Sequence, residues 1–451
     1  MKRREFLKKT VWASAALAGG PTLMDVLTAC GGGTATNPNP QATVNFNGGG
    51  EIHLMQWTHF VPQADVKFKQ LTDRWASQHS GWKVVVDIVA SNDLQTKASA
   101  AVLASAGPDI IQMEYNWPWL YANACIDVTD VAERVQKKVG KFYESIASQN
   151  IVKGKWLGVP FAYTPNGWLY RKDLWSQVGK PNFIDTHDDL LKYGALIKQK
   201  TGIPVGEALG HSFGDPLTMW YPTMWNYGGQ EVMKDGKTVA INSKETETAL
   251  QWSAEIWKQA LDQNGLSWDD SSNNKAFAAK TISATLNGAS IYINEKPGYS
   301  LADPGLLVNT GAALPIKGPK AQSTIHLTFE HAVMKWTKNP GACKDLIEYL
   351  MDKDVWGEWL VAGGGYNSFP NAFLDGHQIW AQDQVLKQFN DAVKLARWTG
   401  WPGPPNKAAS EVQAKYLVID MFAQAVQNPG QIKKILSDTE GQLNAIYGKP
   451  A

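Results

Sequence analysis

The sequence predicts an α/β protein of two domains, each a mainly parallel sheet flanked by helices. Three observations lead there. From Glu51 onward, runs of β-branched residues alternate with amphipathic helical segments, the pattern of strands joined by crossover helices. The chain has 451 residues, more than a single hydrophobic core organises. Pro160 and Pro165 then bracket an extended stretch that cannot be helical and suits a crossing between domains.

Taken in order, the chain opens with an export leader. Met1–Lys9 is basic and carries the pair Arg3–Arg4, which marks the twin-arginine route. The mildly apolar run from Val11 to Ala29 is broken by Gly19, Gly20, Pro21 and Asp25, too interrupted for a membrane span. It closes on Leu27–Thr28–Ala29–Cys30, which resembles a bacterial lipobox. That resemblance implies that residues 1–30 are a lipoprotein signal, that Cys30 takes the lipid, and that the mature chain is anchored outside the cytoplasmic membrane. Residues 31–50 are a polar, glycine-rich tether with nothing from which to build a core.

The folded part is expected to begin with a strand, Glu51–Trp57. A helix follows from Asp65 to Gln78, with Phe68, Leu71 and Trp75 on one face. Next come a strand at Lys83–Ala90, a helix at Asp93–Ser105 and a strand at Asp109–Met113, entered through the Gly107–Pro108 turn. Parallel sheets of this kind bind ligands at the carboxyl ends of their strands, here Trp57–His59 and Glu114–Trp117. Further on, Asn242 with Glu245 reads as a capping box. Leu250, Ser253, Trp257 and Leu261 line the face of the helix that follows. Asn339–Pro340 starts another helix, and the chain ends in two more, Ser410–Gln427 and Pro429–Tyr447.

Composition excludes some functions. The 43 basic and 42 acidic residues leave a net charge of +1, which gives no electrostatic reason to expect nucleic acid. The eight histidines are scattered without metal-ligand spacing; His326, Glu330 and His331 are close in sequence, but strand alternation separates His326 from His331. No metal or cofactor is expected. Cys125 and Cys343 are too few and too far apart to imply a disulfide framework, and a bridge between them stays open. Tryptophan stands out with 20 copies. Several lie beside proline, glycine or asparagine, where a flat apolar face with one N–H suits the C–H faces of sugars and also cations.

In this setting the chain resembles the family-one extracellular solute-binding proteins of bacterial ABC importers, the class of maltose-binding protein. The landmarks are Leu103–Ile111, Gly154–Pro160, Leu169–Leu174, Asn226–Gly229 and Thr285–Gly288, in that order and spacing from about Glu51 to the C-terminus. The resemblance implies the type II periplasmic-binding-protein fold, with two α/β lobes, a ligand cleft between them and hinge closure around the ligand. It implies a first lobe of residues 51–160 plus 318–370 and a second of 161–317 plus 371–451. A monomer delivering ligand to the transmembrane subunits of an ABC permease is expected.

The resemblance also implies the site. Trp57 and His59, with Phe60 beyond them, come from the first loop. Asn116 and Trp117 come from the loop after the third strand, where maltose-binding protein has a carboxylate and a cation. Tyr163 and Thr164 lie beside the hinge, Thr164 again replacing a carboxylate, so a different sugar is expected. The second lobe supplies Asp215, Thr218 and Trp225, then Asn287 and Tyr292. Asp215–Pro216 is equally a helix start, with aspartate as cap. Glu330, Tyr366 and Trp401 are added from hinge and loop context. Gly363–Gly365 either approach the ligand or end a helix. Such residues satisfy sugar hydroxyls and stack on sugar rings without covalent chemistry.

Two enzyme readings compete. Gly210–His211–Ser212–Phe213–Gly214 fits the nucleophile elbow of serine hydrolases, but the lead-in Ile203–Leu209 carries Pro204, Gly206 and Glu207 and makes a poor central strand. A secreted glycoside hydrolase would suit the aromatic residues, and pairs of carboxylates are plentiful. The expectation is a lipid-anchored, non-enzymatic carbohydrate receptor. Binding of a cationic or osmolyte ligand is the alternative on the same fold.

Overall fold

The computed structural model describes residue 46 and residues 48–449. The leader, Cys30 and most of the tether lie outside the described residues. Eight strands form the two main sheets: β1 (Gly50–Trp57), β2 (Trp82–Val89), β3 (Ile110–Glu114), β4 (Val159–Thr164), β5 (Gly167–Arg171), β6 (Ala284–Asn287), β7 (Thr310–Ala313) and β8 (Leu327–Val333). The first sheet runs β2-β1-β3-β8-β4, and the second β6-β5-β7. The fold is α/β, as the alternation of segments predicts.

The first three strands are parallel and fall within a residue or two of their expected places. The expectation of mainly parallel sheets needs correction. β8 runs antiparallel to both β3 and β4, and both pairings of the second sheet are antiparallel. The helix-linked pattern holds only through β3. Beyond it the strands return from distant parts of the chain, so no short crossover helix constrains their direction. Asn166 ties the turn between β4 and β5 to the start of β8, its side-chain amide donating to the Ile325 carbonyl at 2.8 Å.

Helices cover the sheets as their apolar stripes dictate. The helix Pro62–Gln78 buries Phe68, Leu71 and Trp75, and Pro340–Leu350 begins with proline at the tolerated position. In Lys244–Gln259 the cap is Ser243 rather than Asn242, its hydroxyl accepting from the Thr246 amide at 3.1 Å. The first terminal helix is two, Lys407–Ala414 and Leu417–Gln427, because Tyr416 takes a left-handed backbone conformation (φ 55°) between them.

Much of the tryptophan excess is core. Trp75, Trp175, Trp220, Trp356 and Trp359 are buried, with their indole N–H groups donating to Asp345, Ser283, Ala208, Phe161 and Ala64. Each satisfies its one donor while filling apolar volume, which burial of indole requires. Cys125 and Cys343 are both buried free thiols, and burial pushes each up to about 12. No helix among the described residues is long and apolar enough to cross a membrane.

Candidate functional site

The ends of β1, β4 and β6 and the start of β8 converge on one small cavity of about 20 Å³. Trp57 closes β1, and Phe60 follows it. Thr164 ends β4, with Asn166 beyond it. Leu327 opens β8, Asn287 and Gly288 leave β6, and Tyr366 follows the helix Lys353–Ala362. Gly214, Asp215 and Thr218 come from the start of the helix Asp215–Asn226, and Asp270 stands behind them.

Packing fixes the aromatic wall. Trp57 is stacked on Phe329 with ring centroids 4.9 Å apart and meets Phe60 edge-on at 5.3 Å. Its backbone amide donates to the Gln112 side chain at 2.9 Å, but its indole N–H has no partner. Gly288 lets the walls approach. A Cβ there would lie 2.6 Å from Thr164 Cγ2 and 2.9 Å from Tyr366 Cε2.

The polar wall is built around an aspartate that the sequence reading did not single out. Asp270 accepts from Ser212 Oγ at 2.6 Å, from the Asp215 amide at 2.8 Å and from the Gly214 amide at 3.1 Å. It thus caps the helix Asp215–Asn226 from a distant segment, setting an anion on the positive end of the helix. The helix cap is Gly214, not Asp215, which releases the Asp215 carboxylate toward the cavity. Asp215 Oδ2 is buried without a partner. Burial first, then the neighbouring Asp270 and Glu207 charges, push its carboxyl well above the usual range, while the nearby Asn273 side chain, beyond good hydrogen-bond geometry, pulls the other way. Among the described residues, no lysine, arginine or histidine lines the cavity.

Hydrogen bonds between distant segments hold the surrounding structure together. Asn294 Nδ2 donates to the Phe60 carbonyl at 2.8 Å, Tyr115 Oη to Phe213 at 2.6 Å, and Ser410 Oγ to Asn116 at 2.8 Å. A space of about 20 Å³ holds roughly one water, so the walls stand nearly in contact and must part to admit a sugar.

Of the residues anticipated from sequence, the structure brings Trp57, Thr164, Asp215, Asn287 and Tyr366 together at this cavity, with Phe60 and Thr218. The others sit elsewhere. His59 is buried against Trp359, its Nδ1 bonded to Asp65 at 2.5 Å. Asn116 and Trp117 lie behind the cavity, where Trp117 packs edge-on against Phe213. Tyr163 packs on His326 at 5.2 Å. Trp225 is buried between Tyr221 and Trp401. Tyr292 donates to Asp383 beneath the Lys296 ammonium. Trp401 borders a second, open groove of about 360 Å³ with Trp398 and Arg397, and the guanidinium lies 5.3 Å from its ring. Gly363 ends a helix, while Gly364 and Gly365 take positive φ and pack closely on Tyr299 and Trp380 rather than lining the cavity.

Glu330 turns from the cavity toward Gly158 and Asn150, with both carboxylate oxygens buried and unpartnered. Burial first, then Glu114, push its carboxyl well above the usual range, while Asn150 and Thr328 pull the other way. A folded-state value above the unfolded one contributes stability at low pH that is lost as pH rises through the folded value. Glu330→Gln should therefore unfold about 2–4 °C higher than the parent at pH 8, with the gap closing toward pH 5. Thermal melts at the two pH values check this, and a pH-independent difference would contradict it.

Ser212 of the elbow-like motif is buried, and its hydroxyl serves the Asp270 cap. His211 instead stacks on Tyr416 and pairs with Asp420. The lead-in forms only an isolated bridge, Val205 with Leu261. No cluster of three or more metal-ligating side chains occurs among the described residues.

A family model described as bacterial extracellular solute-binding protein matches residues 68–388. A binding protein of Brucella abortus (strain 2308) is 22% identical over 398 residues, which is 85% of this chain and 90% of that protein. Among solved structures, maltose-bound MalE3 of T. maritima superposes with a TM-score of 0.76 at 16% identity, covering 88% of this chain and 99% of that one. A solute-binding protein of Thermotoga lettingae bound with α-D-tagatose gives 0.76 at 16% identity, covering 89% and 100%. At these identities the structural likeness is one of fold, that of the type II periplasmic binding proteins.

Proposed function

The chain belongs to the bacterial extracellular solute-binding proteins, and from that premise we propose that it captures a carbohydrate outside the cytoplasmic membrane and delivers it to an ABC permease. The observation that carries this reading is the cavity lining, with three aromatic side chains on its walls, acceptors at Asp215 and Asn287, and no cation among the described residues. Sugar rings need both apolar faces and hydroxyl acceptors when water leaves. The two sheets are the centres of two lobes, the first keeping β4 to its end at Thr164 rather than breaking at residue 160, and closure brings Trp57, Thr164 and Tyr366 against Asp215 and Gly288. Lipid on Cys30 holds the receptor at the membrane. No enzymatic step is assigned, since Ser212 serves a helix cap and the site pairs no nucleophile with a histidine base.

The test is thermal unfolding of residues 31–451 against mono- and oligosaccharides, polyols, betaine and choline. A ligand of the native state at 100 times its Kd adds about 2.7 kcal/mol, which raises the midpoint by several degrees. A concentration-dependent rise with a sugar that is recovered unchanged is expected. A rise only with betaine or choline would overturn the carbohydrate reading, and a cleaved sugar would make the protein a hydrolase.

A further inference from the structure

We propose that the ligand is an aminated carbohydrate, whose protonated amine is selected by the open oxygen of Asp215; this rests on the carbohydrate reading above and narrows it. The cavity is lined by two carboxylates, Asp215 and Asp270, and by no cationic side chain. Glu114 and Glu207 lie close by, near enough for Asp270 to act on Glu114 and Glu207 on Asp215, and burial pushes both carboxyls well above the usual range.

The two lining carboxylates are not equivalent. Asp270 spends its lone pairs on Ser212 Oγ and the amides of Gly214 and Asp215, and its charge faces the helix N-terminus. Asp215 Oδ2 has no donor, in a residue only 6% exposed. A sugar hydroxyl would give this oxygen a hydrogen bond but would do little to favour the ionised carboxylate in a buried site. An ammonium group supplies the hydrogen bond and the opposite charge together, and charge-assisted bonds are the stronger kind. The faces of Trp57, Phe60 and Tyr366 add favourable ground for a cation.

A second, independent orphan sets the rest of the ligand. The Trp57 indole N–H is a donor, buried, at the cavity wall and without a partner. It calls for an acceptor on the ligand, and a hydroxyl oxygen supplies one. A quaternary ammonium has no N–H for Asp215, and a plain alkyl amine has no oxygen for Trp57. A primary amine on a polyhydroxyl scaffold meets both demands.

Calorimetric titration of residues 31–451 at pH 7 tests this with three matched sets. Glucosamine, galactosamine and mannosamine are each compared with their parent sugar and their N-acetyl form. At least one amine should bind 10-fold or more tighter than both its partners, and Asp215→Asn should bring the amine-to-parent ratio close to one. Asp215→Glu, which keeps the charge, should retain a preference and guards against misfolding of the asparagine variant. Equal or tighter binding of a neutral parent would overturn the inference and leave the carbohydrate receptor standing. An amine preference that survives Asp215→Asn would also overturn it. Absence of binding by every sugar here and in the broader panel would remove both readings.

Discussion

Gly288→Ala should weaken ligand binding at least 100-fold while shifting the unfolding midpoint of the unliganded protein by no more than about 2 °C. The argument is steric and local. Gly288 does not use a backbone conformation reserved for glycine, so alanine brings no strain of its own. Its new methyl would lie 2.6 Å from Thr164 Cγ2 and 2.9 Å from Tyr366 Cε2, well inside contact distance for carbon. Thr164 and Tyr366 are cavity walls on segments remote from β6, so the least costly relief is for the walls to stay apart. An open cleft forfeits the simultaneous contacts that give affinity, while each side keeps its own core. Titration with whichever sugar stabilises the parent, together with the radius of gyration at saturating ligand, checks the outcome. The variant should keep the unliganded radius. Gly441→Ala, in open space on the helix Ile432–Tyr447, is the control and should bind as the parent does. Parent-like affinity in Gly288→Ala would mean that the close approach of Gly288 to Thr164 and Tyr366 is not kept around the ligand.

The sequence carried the fold further than it carried the site. Periodicity located β1 to β3 and the helix Pro62–Gln78 almost to the residue, because both are local consequences of which faces must be buried. Strand direction beyond β3 is not local. β8 meets β3 across more than 200 residues of chain, and nothing in Leu327–Val333 itself states its orientation. The site shows the same division. Trp57 was recognisable because it ends a strand, where such folds gather ligands, and Thr164 only through the family resemblance, which placed it beside the hinge. Asp270 was not, since its role is defined by amides more than fifty positions away. His59, Tyr163 and Glu330 look like site residues by type and neighbourhood, yet their side chains turn into packed interior. In a strand or loop a single change of facing decides between cavity and core.

That dependence on a distant partner makes Asp270 the most consequential single residue of the polar wall. Asp270→Ala should lower stability by about 4 kcal/mol, since it strands three buried donors at roughly 1–3 kcal/mol each, with partial relaxation. The Ser212 hydroxyl and the amides of Gly214 and Asp215 would all lose their acceptor. The start of the helix Asp215–Asn226 would lose the anion at its positive end as well. Asp270→Asn keeps one carbonyl oxygen without the charge and should fall between the parent and alanine. Binding should fail in both variants by more than stability alone explains, because the same contacts aim Asp215 at the cavity. The check is a denaturant midpoint for each variant beside a titration made well below that midpoint, where the protein is fully folded. Midpoints within experimental error of the parent would show that the cap holds nothing. A stability loss with unchanged affinity would show that Asp215 is positioned by its own helix rather than by Asp270. Loss of both together ties the order of that helix start to the chemistry of the cavity: one buried carboxylate, satisfied by the hydroxyl and amides of a distant segment, leaves the next one free for a ligand.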